Sequence, residues 1–317
     1  MQPLLEPVAD PEPSIAYPDV LGRGRQVMVR CVVGLLIGIS GYLLVVPVVA
    51  QLVLGLGYLV RRPNGGFTAY YGRAMAYHLP EGLAATHIAL ATLIPLSIAL
   101  VWGWHRVRPR WLLSVQPGLR WRYLVGCLAI AAVALNLVMW VSEWASGGWG
   151  GWGHFPQWTV PAQAWLWVVF VLVLSPLQAA GEEFFFRGYM LQAIGGITRN
   201  RWAAVVVTAL VFALFHGVQN IWLFIDRFAF GLLAGALVVV TGGIEAGIAA
   251  HVANNVFAFG YAIFSGGAAR AKGVTQITAS AAVWDVAGFA VTAALCWWFG
   301  RRLNVAHTTP AITPGRI

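Results

Sequence analysis

The sequence predicts an all-α, polytopic membrane protein, because it is apolar, poor in charge and divided into runs long enough to cross a bilayer. Apolar residues make up 59% of the 317 positions and charged residues 10%, whereas a soluble domain carries about a quarter charged residues. The net charge of +9 comes from arginines at the ends of the apolar runs, without a basic stripe. This pattern is typical of membrane-flanking charge and excludes nucleic acid as a partner.

Eight segments are long and apolar enough for a membrane-spanning helix, which needs about 20 residues. The fourth is longer than a straight crossing requires, and Pro176 predicts a kink in it. The fifth is the shortest. In chain order the predicted spans are residues 31–59, 82–104, 122–142, 162–193, 202–218, 220–241, 244–264 and 281–299.

The distribution of arginine predicts the topology. Most arginines lie before the first span, between the second and third, between the fourth and fifth, and after the eighth. Under the positive-inside rule, both termini are therefore expected in the cytoplasm of a protein of the cell membrane. The opposite, outer side has five cationic residues, which are Arg61, Arg62, Arg73, Arg270 and Lys272.

A single membrane domain over residues 23–302 accounts for most of the chain. Residues 1–22 are rich in proline and acidic side chains, which predicts a disordered N-terminal tail. Residues 303–317 form a C-terminal tail. Polar residues concentrate in residues 162–265, and this core carries the candidate chemistry.

The first polar group is the pair Glu182 and Glu183 in the fourth span. A charged side chain within the bilayer costs roughly 2.5–3.5 kcal/mol even on the mild insertion scale, so it requires a reason. Arg187 lies four residues after Glu183, on the same helical face, which predicts an ion pair. Glu182 is rotated by about 100° from Glu183, so it remains free to accept a proton from water as a general base.

Two further polar groups lie in the fifth and seventh spans. His216 can act as a base, a hydrogen-bond donor or a metal ligand. His251 and Asn255 are four residues apart on one face, and both can donate hydrogen bonds to an oxyanion. Counting about 1.5 Å per residue from the span ends places these groups and Glu182 in one layer. Asp226 and Phe212 are expected to line the same cavity.

Each of these residues also has a structural interpretation. A Glu–Arg pair in a membrane helix is commonly a structural bond, and an intramembrane Asn commonly joins two helices. By the same reasoning Glu245 is expected at the membrane interface, and Asp285 could be structural. The convergence of the other groups at one depth favours a functional site.

Three motifs occur in order: Glu182-Glu183 followed by Arg187, Phe212 followed by His216, and His251 followed by Asn255. They resemble the CPBP family of intramembrane proteases, which comprises Abi-type CAAX proteases and bacteriocin-processing enzymes and includes the Ras-converting CAAX endopeptidase. The resemblance extends to residues 227–231 and 241–243 and covers about residues 162–265.

The resemblance implies an intramembrane endopeptidase that acts on membrane-bound or lipidated peptides, in contact with membrane lipids. By position, Glu182 would activate water with help from His216. His251 and Asn255 would stabilise the oxyanion, and Glu183 and Arg187 would support the site. The polar layer further predicts a wet cavity that opens toward the cytoplasm.

Three alternatives remain open at the level of sequence. No cofactor is required in the preferred mechanism, but a zinc ion could be held by Glu182, His216 and His251. A transporter could use the same polar layer for a solute or for protons, although no internal repeat is visible. A non-catalytic immunity or scaffold protein could retain the same residues.

Overall fold

The computed structural model describes residues 8–22, 26–145, 158–265 and 267–311. Within these ranges the chain is mainly helical, and β-type pairing is limited to three isolated bridges. Seven helices are long and apolar enough to cross a membrane. They are α1 (Val27–Arg61), α3 (Pro80–Trp104), α4 (Trp121–Ala145), α5 (Ala164–Thr198), α7 (Ile221–Thr241), α8 (Glu245–Ser265) and α10 (Ala279–Arg302).

Three shorter helices complete the bundle: α2 (Phe67–Met75), α6 (Arg201–Leu214) and α9 (Ala268–Lys272). The all-α, multi-span prediction is confirmed, but the fifth of the eight predicted spans is the 14-residue helix α6. At 1.5 Å per residue it is about 21 Å long, which is less than the roughly 30 Å of a hydrocarbon core. The side chain of Asn200 caps its first turn by accepting from two backbone N–H groups.

The two ends of the bundle differ. We call the end at which α1 begins and α10 ends the capped end, and the opposite one the far end. At the capped end, residues 14–16 pair with residues 308–309, and Ile15 donates its backbone N–H to Thr309. Both terminal segments therefore lie on the same side, as the sequence predicts. That this side is cytoplasmic stays a prediction.

The N-terminal tail is the clearest departure from the sequence prediction. Residues 8–22 were expected to be disordered, but they are packed against the capped end; residues 1–7 and 312–317 lie outside the described ranges. Tyr17 is fully buried and its hydroxyl donates to the carbonyl of Leu112. Asp10 accepts from Arg108, from Arg110 at 2.9 Å and from Trp111 at 2.7 Å. The acidic tail is ordered because the arginine-rich loop after α3 supplies its partners.

Close packing of α6 against α7 holds the middle of the bundle together. Gly231 and Gly235 are four residues apart, and a Cβ on either would lie 2.9 Å from an atom of Ala209 or Val205. Small residues with this spacing let membrane helices approach closely. The packing of α6 on α7 therefore places the segment of residues 212–230 in contact with α5 and α8.

A buried ion pair fixes the start of α8. Glu245 is fully buried within the protein and is the first residue of α8, so it lies at a span end, as the sequence predicts. Arg120 donates through Nε and Nη2 to the two carboxylate oxygens of Glu245, at 2.8 and 2.6 Å. Its Nη1 also donates to the carbonyls of Thr241 and Ala306. The guanidinium thus joins the α7–α8 turn to the loop before α4 and to the C-terminal segment.

We expect Glu245→Ala to lower the free energy of unfolding by about 3–5 kcal/mol, because it leaves Arg120 buried without a countercharge. Unfolding in detergent micelles would measure the loss. Arg122→Ala, two residues away and exposed, is the control and should be close to neutral. The double variant Arg120→Ala/Glu245→Ala should lose less than the sum of the single losses; simple additivity would show that the pair is not coupled.

Candidate active site

The two adjacent glutamates lie where the winding of α5 changes. Glu183 is the last residue of the regular α-helical part, and Phe184–Met190 follow with π-helical winding. π-helical turns are rare and often occur at functional sites. Residues 185–196 are all buried, so this half of α5 is enclosed by protein on every side.

Glu183 is the centre of a buried ionic network. Its Oε1 accepts from Arg187 Nη1 at 2.9 Å, which is the predicted ion pair one helical turn away. The same oxygen accepts from His251 Nδ1 at 2.8 Å. Glu183 is fully buried, and Arg187 and His251 are 1% and 5% exposed. The network therefore connects α5 to α8 through charged groups that are shielded from both lipid and water.

Aromatic rings enclose the guanidinium of Arg187. Its carbon Cζ lies 4.0 Å from the ring centroid of Phe212 on α6 and 5.1 Å from that of Phe230 on α7. Both rings also contact His251, with centroid distances of 6.1 and 5.1 Å. Cation–π contacts of this kind are strongest when they are desolvated. Phe212, predicted to line a cavity, instead forms part of this packed wall.

Glu182 makes fewer hydrogen bonds than Glu183 in the described structure. It is 7% exposed, and its Oε2 has no hydrogen-bond partner among the described residues. The nearest partner is His251 Nε2, at 3.5 Å from Oε2, which is longer than a normal hydrogen bond. His251 thus stands between the two glutamates, with one ring nitrogen toward each.

His216 lies just beyond the end of α6, at the exposed edge of the cluster. Its Nδ1 is 2.8 Å from the carbonyl oxygen of Phe212. A carbonyl can only accept, so Nδ1 carries a proton, and in the neutral imidazole Nε2 keeps its lone pair. The ring of Phe212 packs against His216 with centroids 4.6 Å apart. His216 is within electrostatic range of Glu182, but no hydrogen bond or ion pair joins the two in the described structure.

Asn255 is held by two other amides. Its Nδ2 donates to Gln178 Oε1 at 2.7 Å, and its Oδ1 accepts from Asn254 Nδ2 at 3.2 Å. In this orientation the second N–H of Nδ2 makes no hydrogen bond within the described structure. Gln178 was missed in the sequence, although its position one helical turn before Glu182 places both on one face of α5.

Asp226 is not part of the cluster. Among the described contacts, no hydrogen bond or ion pair joins it to the four predicted catalytic residues. The charged groups that influence it are Asp285 on α10 and Arg227. Arg227 comes closer to the site: its Nη1 donates to Gln219 at 2.6 Å, and Gln219 donates to the carbonyl of Ala213 near the end of α6.

The exposed side of the cluster lies away from the capped end, and the predicted opening toward the cytoplasm stays a prediction. Toward the capped end, which holds both termini, the network is followed by packed side chains such as Phe185, Phe186 and Tyr189, each at most 1% exposed. On the opposite side, His216 is exposed and Asn255 is half-buried. Access from water or lipid is therefore available at the His216 side of the cluster.

The residues considered for zinc do not fit a metal site in this arrangement. In the described part of the chain, no three side chains of His, Cys, Asp or Glu are grouped so that they could hold a metal ion. The ring of Phe212 packs against both histidines, and His216 forms no hydrogen bond or ion pair with Glu182 or His251 in the described structure.

Comparison with known protein families finds a match that includes the residues of this site. Residues 161–257 match the family model described as type II CAAX prenyl endopeptidase Rce1-like. These residues are similar to that family, and they are called the Rce1-like segment from here on. It contains all four predicted catalytic residues, so the predicted family resemblance is confirmed over about a third of the chain. With the seven apolar helices, it also confirms the predicted location in a membrane.

One relative shares part of the sequence. A stretch of 103 residues is 33% identical to "Uncharacterized protein YyaK" of Bacillus subtilis (strain 168), which is 30% of this chain and 34% of that protein. The match therefore spans about a third of the relative's length. No solved structure is significantly similar to the chain.

Gly247 offers a test of the ionic network around the Rce1-like glutamates. A Cβ at this position would lie 2.8 Å from Glu183 Oε2. We expect Gly247→Ala to displace that carboxylate from Arg187 and His251, and to lower both thermal stability and any activity. Gly260→Ala is the matched control on the same helix, because a Cβ there meets nothing within 4 Å. Similar losses in both variants would contradict this account.

Proposed function

We propose that the chain is an intramembrane endopeptidase that hydrolyses peptide bonds of membrane-associated substrates with a water activated by Glu182. One observation carries the proposal. The Oε2 of Glu182 is buried without a hydrogen bond and faces His251 Nε2 at 3.5 Å. A buried carboxylate oxygen without a partner is costly, and a reacting water would satisfy it. Its place in the Rce1-like segment supports peptide hydrolysis as the reaction.

The first step is attack by water. Glu182 accepts one proton from a water as the water oxygen bonds to the scissile carbonyl carbon. A single water can approach Glu182 Oε2 and His251 Nε2 together from the side, because these atoms are already 3.5 Å apart. His216 Nε2, which keeps its lone pair, provides a second basic nitrogen at the exposed edge. Its role is to orient the water or the substrate.

The second step is stabilisation of the oxyanion and collapse of the intermediate. With Nδ1–H donated to Glu183, His251 can donate from Nε2 only as an imidazolium. That form would bring the summed charge of Glu182, Glu183, Arg187 and His251 to zero. Asn255 contributes its free N–H. The C–N bond then breaks as Glu182 returns its proton to the leaving amine, so every proton is accounted for.

The surroundings of the site indicate which class of substrate can reach it. A cluster buried among spans can be reached by a peptide that is already held at the membrane. Membrane-anchored or lipidated peptides, including CAAX-type tails, are therefore the proposed substrate class. Processing of bacteriocin-like peptides is a second form of the same chemistry.

We expect Glu182→Gln and Glu182→Ala to lower kcat/KM by about 10²–10⁴-fold while the protein stays folded, because the general base is lost. The assay would use the purified full chain in lipid nanodiscs with a prenylated CAAX peptide and its unprenylated form. Asp285→Asn, which removes an exposed intramembrane carboxylate, should retain activity. Cleavage by Glu182→Gln at the wild-type rate would defeat the assignment.

The same preparation tests the metal-free form of the mechanism. We expect activity to survive chelator treatment, and metal analysis of the active protein to show no stoichiometric zinc. Loss of activity that added zinc restores would replace the mechanism while leaving the hydrolytic function in place.

Gln178 should act by positioning Asn255. Gln178→Met keeps the size of the side chain but removes the acceptor at 2.7 Å. We expect kcat to fall by about tenfold, the value of one hydrogen bond, with little change in KM. The decisive measurement is a double-mutant cycle with Asn255→Ala, in which Gln178→Met should add no further loss. Additive losses would assign Gln178 a role independent of Asn255.

A further inference from the structure

A cavity of about 570 Å³ lies at the far end of the bundle, away from the Rce1-like glutamates. It is bounded by the end of α1, the segment between α2 and α3, the start of α5, and the segment between α8 and α9. A smaller cavity of about 160 Å³ adjoins it and shares Arg61, Arg73 and Leu79. The larger volume lies within the roughly 300–1,000 Å³ of typical ligand sites.

The walls of this cavity are cationic. Arg61, Arg73 and His78 line it, and none of the described lining residues is acidic. Lys272 packs over the ring of Tyr77, another lining residue, at 5.2 Å from its centroid. Arg61 forms an ion pair with Glu81 at 2.5 Å, and Arg73 is exposed. Two of the five cations that the sequence predicts for the outer side therefore line the cavity, and a third, Lys272, packs against its wall.

Two helix N-termini also point at the cavity. Leu79 and Pro80 are at the start of α3, Ala162 and Gln163 are at the start of α5, and all four line the space. Neither helix has a side-chain cap on its first turn, but at α3 Pro80 has no N–H and Glu81 already places a carboxylate there, whereas the first turn of α5 has no acidic residue. Both helices are long enough to span a membrane. Uncapped N–H groups and the positive end of the helix dipole attract anions, phosphate above all.

A buried hydroxyl supplies a further donor. Tyr70 lines the smaller cavity and is 3% exposed, and its hydroxyl has no hydrogen-bond partner among the described residues. Burial raises the pKa of Tyr70 to about 12, so the group keeps its proton. An unpaired buried donor is costly, and a phosphate oxygen in the adjoining cavities is an acceptor that would satisfy it.

The position of the cavity matches the headgroup level of a bilayer. It lies where α1, α3, α5 and α8 leave the apolar part of the bundle, while Trp167 and Ile263 form its apolar floor. A phospholipid presents the same combination, with an anionic phosphodiester above a glycerol and acyl chains. Aromatic side chains such as Trp167 commonly occupy this interfacial depth.

We propose that this cavity binds a phosphate group, as presented by the headgroup of an anionic phospholipid. Arg61, Arg73 and the first turn of α5 would hold the phosphate oxygens, and the acyl chains would leave along the apolar floor. The assignment of this site does not require the Glu182 assignment to be correct.

The test is lipid binding to the purified, delipidated full chain, followed by native mass spectrometry and thermal unfolding. Phosphatidylglycerol should bind and raise the unfolding temperature, whereas a diacylglycerol with the same acyl chains, which lacks the phosphate, should do neither. Inorganic phosphate forms a separate arm. Stabilisation by inorganic phosphate at concentrations comparable with the lipid would identify soluble phosphate as the source; a requirement for the lipid would identify the headgroup.

Arg73 provides the variant, because it is exposed and its replacement leaves the Arg61–Glu81 pair intact. Arg73→Gln should weaken phosphatidylglycerol binding by about tenfold, the worth of one charge-assisted contact, and Arg73→Glu should weaken it further. Arg122→Gln, an exposed arginine at the capped end, should bind as the wild type does. Equal binding of diacylglycerol and phosphatidylglycerol, or unchanged affinity in Arg73→Glu, would overturn the proposal.

Discussion

The architecture of the site depends on how one buried carboxylate, Glu183, is neutralised. A charge enclosed between membrane helices is tolerated when it is paired and hydrogen-bonded. Glu183 meets that condition through Arg187 on its own helix and His251 on α8. Because Arg187 must reach Glu183 from within a wall of Phe212 and Phe230, α6 and α7 are drawn to the same point. The pairing of the Glu183 carboxylate therefore determines where α5, α6, α7 and α8 meet.

The unequal environments of the two glutamates follow from this constraint. Adjacent residues on a helix point about 100° apart, so a network built around Glu183 cannot also satisfy Glu182. Each carboxylate keeps a buried Oε2 without a hydrogen bond among the described residues, but that of Glu182 lies beside the remaining nitrogen of His251. The stable ionic network around Glu183 therefore lies next to the reactive carboxylate of Glu182. His251 stabilises the first and also faces the second.

Local relations in this site could be predicted from sequence, whereas relations between helices could not. The Glu183–Arg187 pair follows from a four-residue spacing on one helix. The pairing of Glu182 with His251 rather than His216 depends on helix rotation, and the π-helical winding after Glu183 changes that rotation. Arg120 and Glu245 are 125 positions apart, so nothing in the neighbourhood of Glu245 shows that it is buried. The N-terminal tail was misjudged for the same reason, since the partners of Asp10 lie about 100 positions away.

The two sites of the molecule are joined by the helices they share. The cationic cavity lies at the start of α5 and near the end of α8, and these are the helices that carry Glu182 and His251. The start of α5 is about 27 Å from Glu182 at 1.5 Å per residue, so no ligand in the cavity touches the reacting atoms. An anion there would instead hold the far ends of both helices at a set separation. The contact of 3.5 Å between Glu182 and His251 spans the same two helices, so its geometry depends on that separation. A phosphate bound at the membrane surface would thus affect hydrolysis through the distance between α5 and α8. Without anionic lipid the chain would keep its fold, but the distance between these two helices would no longer be fixed at the far end.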